Sequence, residues 1–396
     1  MKSLASVVFA GTAFILLCCQ KPSRIARVRY PKALLGAFGV IVLVILVSLA
    51  LSPYSKSTLF ISTAFLVLTI SLFYDDGASI SPNLTIEKIF YVVVSLVVLF
   101  EVVSNIGVPW ATYVHEAYDK NYFGIILYLF FCWCWATGRK IGIALALGAA
   151  AVIGSRNYII MLCLFAVLTI MSNRSRRRAA AGSQNPFLKP RTIFCVFLTM
   201  FLGTLAFSFW WSGNMVGTGT AAYGASMNDS SNAVRFNSNV YAVIHAASNP
   251  ELLLYGYDDD IIDAMDIIQS SELDGTESEL DGTFYNGYRI VQPHNVFLNL
   301  ILREGVLYTL GYFVCLSIVF SRYFRRDNAA YWLPYLFGCL FMHSLLSSYY
   351  LLFFVLILKR SDFSRSLKSV SSPVRSRGMR RRPVFASAFN SGGNCR

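Results

Sequence analysis

The sequence predicts an all-α polytopic membrane protein with about 11 transmembrane helices and one long outer loop. Three observations carry this. The chain is 56% hydrophobic and only 14% charged. Its apolar runs approach the ~20 residues that cross a bilayer as a helix. Its basic residues cluster between those runs and fall on one side when the runs alternate. A net charge of +13 would suit a nucleic-acid binder, but cations confined to short inter-helix clusters make no basic face on a soluble domain. The sequence therefore predicts no nucleic-acid partner.

The first run, 4–20, follows Lys2 in the manner of a signal peptide. It has no small-residue cleavage site, and Leu17 stands where a lipoprotein signal needs a small residue before Cys18. Five basic residues at 21–32 (Lys21, Arg24, Arg27, Arg29, Lys32) outweigh Lys2, which predicts an uncleaved helix with its N-terminus outside. Further runs lie at about 33–51, 58–74, 89–106, 122–138, 141–155, 157–172, 192–211 and 296–320. Alternation then puts Arg139–Lys140, the run from Arg174 to Arg178, Arg322–Arg326 and the tail from Lys359 in the cytoplasm. The stretch 331–358 is flanked by basic clusters on both sides, so it is expected to fold as two short helices turning near Ser344–Ser348.

The organisation is thus 1–211 with helices one to eight, an outer loop at 212–295, helices nine to eleven at 296–358, and a basic cytoplasmic tail at 359–396. That Ser- and Arg-rich tail is expected to be disordered and to touch anionic lipid. Of nine cysteines, eight lie in apolar runs and Cys395 in the tail, with none in the outer loop. That distribution argues against a disulfide framework, and Cys132-Trp133-Cys134 lacks the partners of a zinc site.

Between 212 and 295 stand twelve acidic residues but only two basic ones, Arg235 and Arg289. Residues 230–247 have helical spacing, with Val240, Val243 and Ile244 on one face, Ser231 or Asn232 as N-cap and Pro250 as terminator. The segment 272–283 repeats ELDGT and suits a solvated loop; neither it nor Asp258–Asp260 carries the twelve-residue calcium pattern.

Three residues on the predicted outer face stand out. Arg156 lies in the turn between two helices, beside Gly148, Ala149, Ala150 and Gly154; Arg235 lies on the loop helix; His294 lies where the loop re-enters the membrane. Each has a bland alternative. Arg156 suits a snorkelling interface arginine, and His294 suits a cap for the helix beginning near Val296, with Pro293 fixing the entry. Chemically, imidazole, with an ordinary pKa of about 6.5, is a suitable proton acceptor for a hydroxyl. Arg289, Asn295, Arg303 and Glu304 are supporting candidates. Arg303 and Glu304 lie about two turns into the predicted helix, where ionisable groups pair or line a cavity, and Glu101 is one candidate partner for Arg303.

Three segments carry a family resemblance: GSRNYIIMLCLFAVL at 154–168, the Arg235 helix followed by NPELLLYGY at 249–257, and PHNVFLNLILREGVLYTLGYF at 293–313. The chain resembles the bacterial O-antigen ligase and polysaccharide polymerase superfamily over roughly 140–320. The His-Asn-x-x-Leu…Glu-Gly block is the most specific part. The resemblance implies a glycosyltransferase type C-like fold in the bacterial inner membrane. It also implies metal-independent, cofactor-free transfer of a glycan from undecaprenyl pyrophosphate to an acceptor glycan at the periplasmic face, beside other polysaccharide assembly proteins. Arg156 and Arg235 would hold the pyrophosphate, and His294 would activate the acceptor hydroxyl. The loop lacks arginines that many members carry, and Tyr308 stands where a glycine often follows the Glu-Gly turn.

Polymerisation of lipid-linked repeat units is favoured over ligation to lipid A core, with which it shares its chemistry. From a different class, a lipid-linked sugar transporter would call for an internal repeat and a polar path, and the sequence has neither. A sensor or structural membrane protein would leave the two arginines and the histidine unexplained.

Overall fold

The computed structural model describes residues 31–51, 57–74, 84–104, 120–178, 187–217, 230–248, 256, 284–285, 288–289, 293, 295–342, 345–348 and 350–358. The first predicted helix, the ELDGT repeat, Asp258–Asp260, His115, His294, His343 and the basic tail lie outside the described residues.

The fold is helical. Helices α1 (Lys32–Leu51), α2 (Ser57–Tyr74), α3 (Leu84–Ser104), α4 (Lys120–Thr137), α5 (Lys140–Ile153), α6 (Arg156–Arg178) and α7 (Pro190–Gly217) each coincide with an apolar run. Helix α8 (Ser230–Ser248) is the helix expected in the outer loop; the proposed caps Ser231 and Asn232 fall inside its first turn. A two-residue antiparallel pair, β1 (Phe284–Tyr285) and β2 (Tyr288–Arg289), rests against α8. Then come α9 (Val296–Glu304), α10 (Val306–Phe320), a 3₁₀ turn (Arg326–Asn328), α11 (Ala329–Gly338) and α12 at 350–358.

Among the described residues one helix is long and apolar enough to cross a membrane, Pro190–Gly213 of α7, with mean hydropathy 2.1. Proline opens it at the position where its missing N–H and fixed φ cost nothing. Large apolar side chains point outward elsewhere, among them Ile141 at 80%, Phe100 at 66% and Trp210 at 61% exposure. Exposed apolar surface on this scale marks a contact with lipid or protein.

Helices α4, α5, α6 and α11 pack as one group, with α3 on α5; α1, α2, α7 and α9 pack around α10 as another. The Tyr128 hydroxyl on α4 donates to the Ala330 carbonyl at 2.9 Å, and aromatic rings fill the interior. Phe324 stacks on Trp332 at 4.6 Å and on Phe320 at 4.7 Å.

Two described basic clusters, Arg139–Lys140 and Arg322–Arg326, lie toward one end, linked through the rings of Trp135, Phe165 and Tyr331. There the Leu188 amide donates to the Phe324 carbonyl at 2.8 Å, Phe187 pairs with Arg325 as an isolated bridge, and the Arg325 guanidinium lies 3.9 Å over the Phe187 ring. Arg139, between α4 and α5, lies 4.3 Å over Tyr91. Stacked in this way, a guanidinium covers apolar surface while keeping its charge toward water.

Two features depart from the sequence-based expectation. The run 296–320 is two helices. In a straight helix residues 297 and 313 would lie about 24 Å apart, yet the Phe297 and Phe313 rings are 4.7 Å apart. The chain bends back at Gly305, whose φ of 83° and ψ of 164° end α9 and begin α10; glycine adopts this backbone without a Cβ clash. The stretch 331–358 does form two short helices, but the turn starts at Cys339, ahead of the expected 344–348. Its carbonyls at Leu345 and Leu346 accept from the Tyr335 and Tyr312 hydroxyls, each at 2.6 Å.

Candidate functional site

The Arg156 turn is built from the end of α5 and the start of α6. Gly154, at φ 62°, closes α5, and buried Ser155 opens α6, its carbonyl accepting from the Ile159 amide at 3.1 Å. The turn is fixed from both sides. The Tyr158 hydroxyl donates to the Ala146 carbonyl at 2.8 Å, and a Cβ on Gly124 of α4 would lie 2.5 Å from the Ser155 hydroxyl oxygen. Arg156 itself is exposed, while its neighbour Asn157 is buried. The expected small-residue packing is supplied by Gly142, Ala146 and Ala149; Gly148 faces open space.

The α9 end of the site lies in the interior. Pro293, Asn295, Val296 and Phe297 are all buried. Asn295 caps α9, its Oδ1 accepting from the Phe297 and Leu298 amides at 2.9 and 3.1 Å. The Val296 amide donates to the Cys339 carbonyl, at the end of α11, at 3.2 Å. The first amides of α9 are therefore engaged within the protein and do not form a bare anion cradle.

The turn after α11 links the two arms. A Cβ on Gly338 would lie 3.0 Å from Ile125 of α4 and 3.4 Å from Met161 of α6, while the next residue, Cys339, accepts from Val296. Met161, in the second turn of α6, and Val296, at the start of α9, thus contact adjacent residues of one short segment at the end of α11. His294 lies outside the described residues; its two chain neighbours, Pro293 and Asn295, are buried beside that segment.

Arg235 arrives from the other side of α9. Helix α8 runs antiparallel to α7: the Ser212 hydroxyl donates to Asn237 Oδ1 at 3.0 Å, and Asn239 Nδ2 donates to the Ser208 hydroxyl at 3.2 Å. Lower down, Ala242 packs with Leu298 and Leu302 of α9 and with Phe201 and Leu205 of α7. Arg235, half-buried, sits about two turns above Ala242, away from the basic end. Of the face expected to be buried, Val240 is buried and Val243 partly so, but Ile244 is exposed. The polar run Asn237, Ser238 and Asn239 is buried instead, because α7 offers Thr204, Ser208 and Ser212 at helical spacing.

No protein-family model, curated protein or solved structure matches the chain.

The remaining candidates separate. Arg303 and Glu304 lie about two turns into α9, at its end beside the bend at Gly305. Arg303 is half-buried and Glu304 is 1% exposed. A Cβ on Gly256, within the NPELLLYGY segment, would overlap the Arg303 carbonyl, so the Gly256 backbone packs directly on this bend. Helix α3, which carries Glu101, packs on α5, whereas α9 packs on α2, α8 and α10; the expected Glu101–Arg303 pairing does not follow from this arrangement. Arg289 pairs through its backbone with Phe284, in the strand pair on α8. Tyr308 is fully buried, with its hydroxyl 3.0 Å from Thr63 of α2. This contact joins α10 to α2. Sequence reasoning missed Asn157 and the Asn237–Asn239 run; the signal available was polar residues inside otherwise apolar helical spacing.

Proposed function

We propose that this chain is an inner-membrane polysaccharide polymerase that transfers a glycan from undecaprenyl pyrophosphate to an acceptor sugar hydroxyl at the periplasmic face. On this proposal about eleven helices cross the bilayer, the basic end faces the cytoplasm, and residues 212–295 form the periplasmic loop. The outward-facing apolar side chains and the apolar span of α7 support the membrane placement.

One observation carries the chemistry: α6, which begins with Arg156 and meets Gly338 through Met161, and α9, which follows His294 and meets Cys339 through the Val296 amide, contact adjacent residues at the end of α11. Guanidinium groups at Arg156 and Arg235 suit the oxygens of a pyrophosphate, binding them bidentately and stabilising the charge that develops as it leaves. The acceptor hydroxyl oxygen attacks the anomeric carbon. The bond from that carbon to the phosphate oxygen breaks, the pyrophosphate departs with the electron pair, and the hydroxyl proton passes to His294. One displacement inverts the anomeric centre, and the lipid pyrophosphate supplies the activation without ATP.

The test is deletion of the gene and complementation with His294→Ala, Arg156→Ala or Arg235→Ala, with surface glycan resolved on a gel. Each variant is expected to lose long-chain glycan, the histidine change slowing transfer about 10²–10⁴-fold. Normal chain length in all three would overturn the proposal. A deletion that leaves one repeat unit on its acceptor supports polymerisation; unattached polymer accumulating on lipid would make the enzyme a ligase.

A further inference from the structure

Two buried amide groups near this turn have donors that nothing described in the protein uses. Asn295 is fully buried; its Oδ1 is spent on the α9 amides, while its Nδ2 has no hydrogen-bond partner among the described residues. Asn157, 9% exposed, likewise has an Nδ2 without a partner among the described residues. It lies four residues before Met161 and so on the same helix face, one turn nearer Arg156; Met161 is the residue set against Gly338. Asn157 and Asn295 thus lie next to the two contacts, Met161 on Gly338 and Val296 on Cys339, that α6 and α9 make with the Gly338–Cys339 segment. Each adjoins in sequence one of the residues assigned to the chemistry.

Leaving an amide N–H buried and unbonded costs about 1–3 kcal/mol, and protein interiors seldom retain that cost without a use. Neither asparagine carries charge, so neither can act as acid or base. What both can do is donate a hydrogen bond to an anionic oxygen at no cost in reorganisation.

We infer that Asn157 and Asn295 are uncharged donors to phosphate oxygens of the substrate's pyrophosphate, completing from the interior the site that Arg156 closes from the exposed side. This rests on the proposed function and names two further substrate-binding residues.

The test is calorimetric titration of the full-length chain in detergent with inorganic pyrophosphate, alongside its melting temperature. Serine caps a helix as well as asparagine does, so Asn295→Ser removes the donor while keeping the cap. Asn295→Asp also keeps the cap and places a carboxylate where the donor was. Asn157→Ala and Asn295→Ser are each expected to weaken pyrophosphate binding about 10-fold or more with the melting temperature held. Asn295→Asp is expected to abolish binding. Wild-type affinity in the asparagine variants, with binding lost in Arg156→Ala, would overturn the inference and leave the proposed function standing. Wild-type affinity in Arg156→Ala as well would overturn both.

Discussion

Asn295 and Asn328 are the same residue type, both fully buried, and each immediately precedes a helix of the bundle. Asn328, at the basic end, is saturated. Its Oδ1 accepts from the Arg325 amide at 2.9 Å and from the Trp332 indole at 3.1 Å, and its Nδ2 donates to the Tyr323 carbonyl at 2.6 Å. Asn295, by the first turn of α9, uses its oxygen for the cap and leaves Nδ2 unused among the described residues. Burial and composition do not distinguish the two; hydrogen-bond accounting does. Where every polar atom is matched within the chain, the residue holds the fold together. Asn295 has a buried donor left over, a group that a bound molecule could use.

The largest effect expected on the saturated side is that of Asn328→Ala. It strands the Arg325 amide and the Tyr323 carbonyl and removes one of two acceptors from the Trp332 indole, whose other is the Arg325 carbonyl at 3.1 Å. At about 1–3 kcal/mol for each buried group left unmatched, a loss of roughly 2–4 kcal/mol follows. Denaturation of the purified protein in micelles would measure it, and pyrophosphate affinity should stay unchanged in the fraction that folds. A stable Asn328→Ala variant with weakened pyrophosphate binding would reverse the roles given to the two asparagines.

Gly124→Ala sharpens the contrast on the other side. The added methyl would meet the Ser155 hydroxyl at 2.5 Å and Tyr158 Cβ at 3.0 Å, so the turn carrying Arg156 must shift to admit it. Overpacking of this kind costs about 1–3 kcal/mol. Transfer activity should fall further than stability, because displacing a positioned group by about 1 Å can cost on the order of 100-fold in rate. Equal activity in Gly124→Ala and wild type would show that the position of this turn does not matter to transfer.

Much of this architecture was legible in the sequence and some was not, for identifiable reasons. The limits of α1 to α7 follow from apolar runs bounded by charge and proline, and α8 from helical spacing stopped near Pro250. The bend at Gly305 was hidden because apolar residues continue on both sides of it. A one-dimensional pattern cannot separate a 25-residue span from two short helices folded together when the break is a single glycine. The placement of Arg156 in a turn was legible, since a turn between adjacent runs needs only their boundaries. The spare donors of Asn157 and Asn295 were not. Whether an amide is satisfied depends on what the fold brings to it, and Asn328 presents the same letter with the opposite bonding.

The bend is open to test through Gly256. With φ at +76° and a Cβ direction blocked by the Arg303 carbonyl, Gly256→Ala carries both a backbone penalty of about 1 kcal/mol and a steric conflict. The conflict falls between Gly256 and the backbone of Arg303 and Glu304 at the bend. Activity should drop while inorganic pyrophosphate still binds with wild-type affinity, because the amides and guanidinium assigned to the anion are untouched. If Gly256→Ala weakened pyrophosphate as much as Asn295→Ser, the bend would belong to the anion site itself.

The smallest expected effect lies in the seam between α7 and α8. Ser212→Ala removes one neutral hydrogen bond, 3.0 Å from Asn237 Oδ1, at the buried top of α7. A neutral bond of this kind contributes about 0.5–1.5 kcal/mol, so thermal unfolding should change by only a few degrees. The same seam also carries the register of α8, and Arg235 lies half a turn from Asn237 on that helix. If the seam only adds stability, Ser212→Ala will transfer glycan at the wild-type rate. If it also sets the position of Arg235, the rate will fall with little change in unfolding, and the doubly bonded Ser208, which accepts from Asn239 and donates to the Thr204 carbonyl at 2.9 Å, will show the larger drop on replacement by alanine. The polar seam should then act on the reaction only through the arginine it positions, and Arg235→Lys would be less active in the Ser208→Ala background than in wild type.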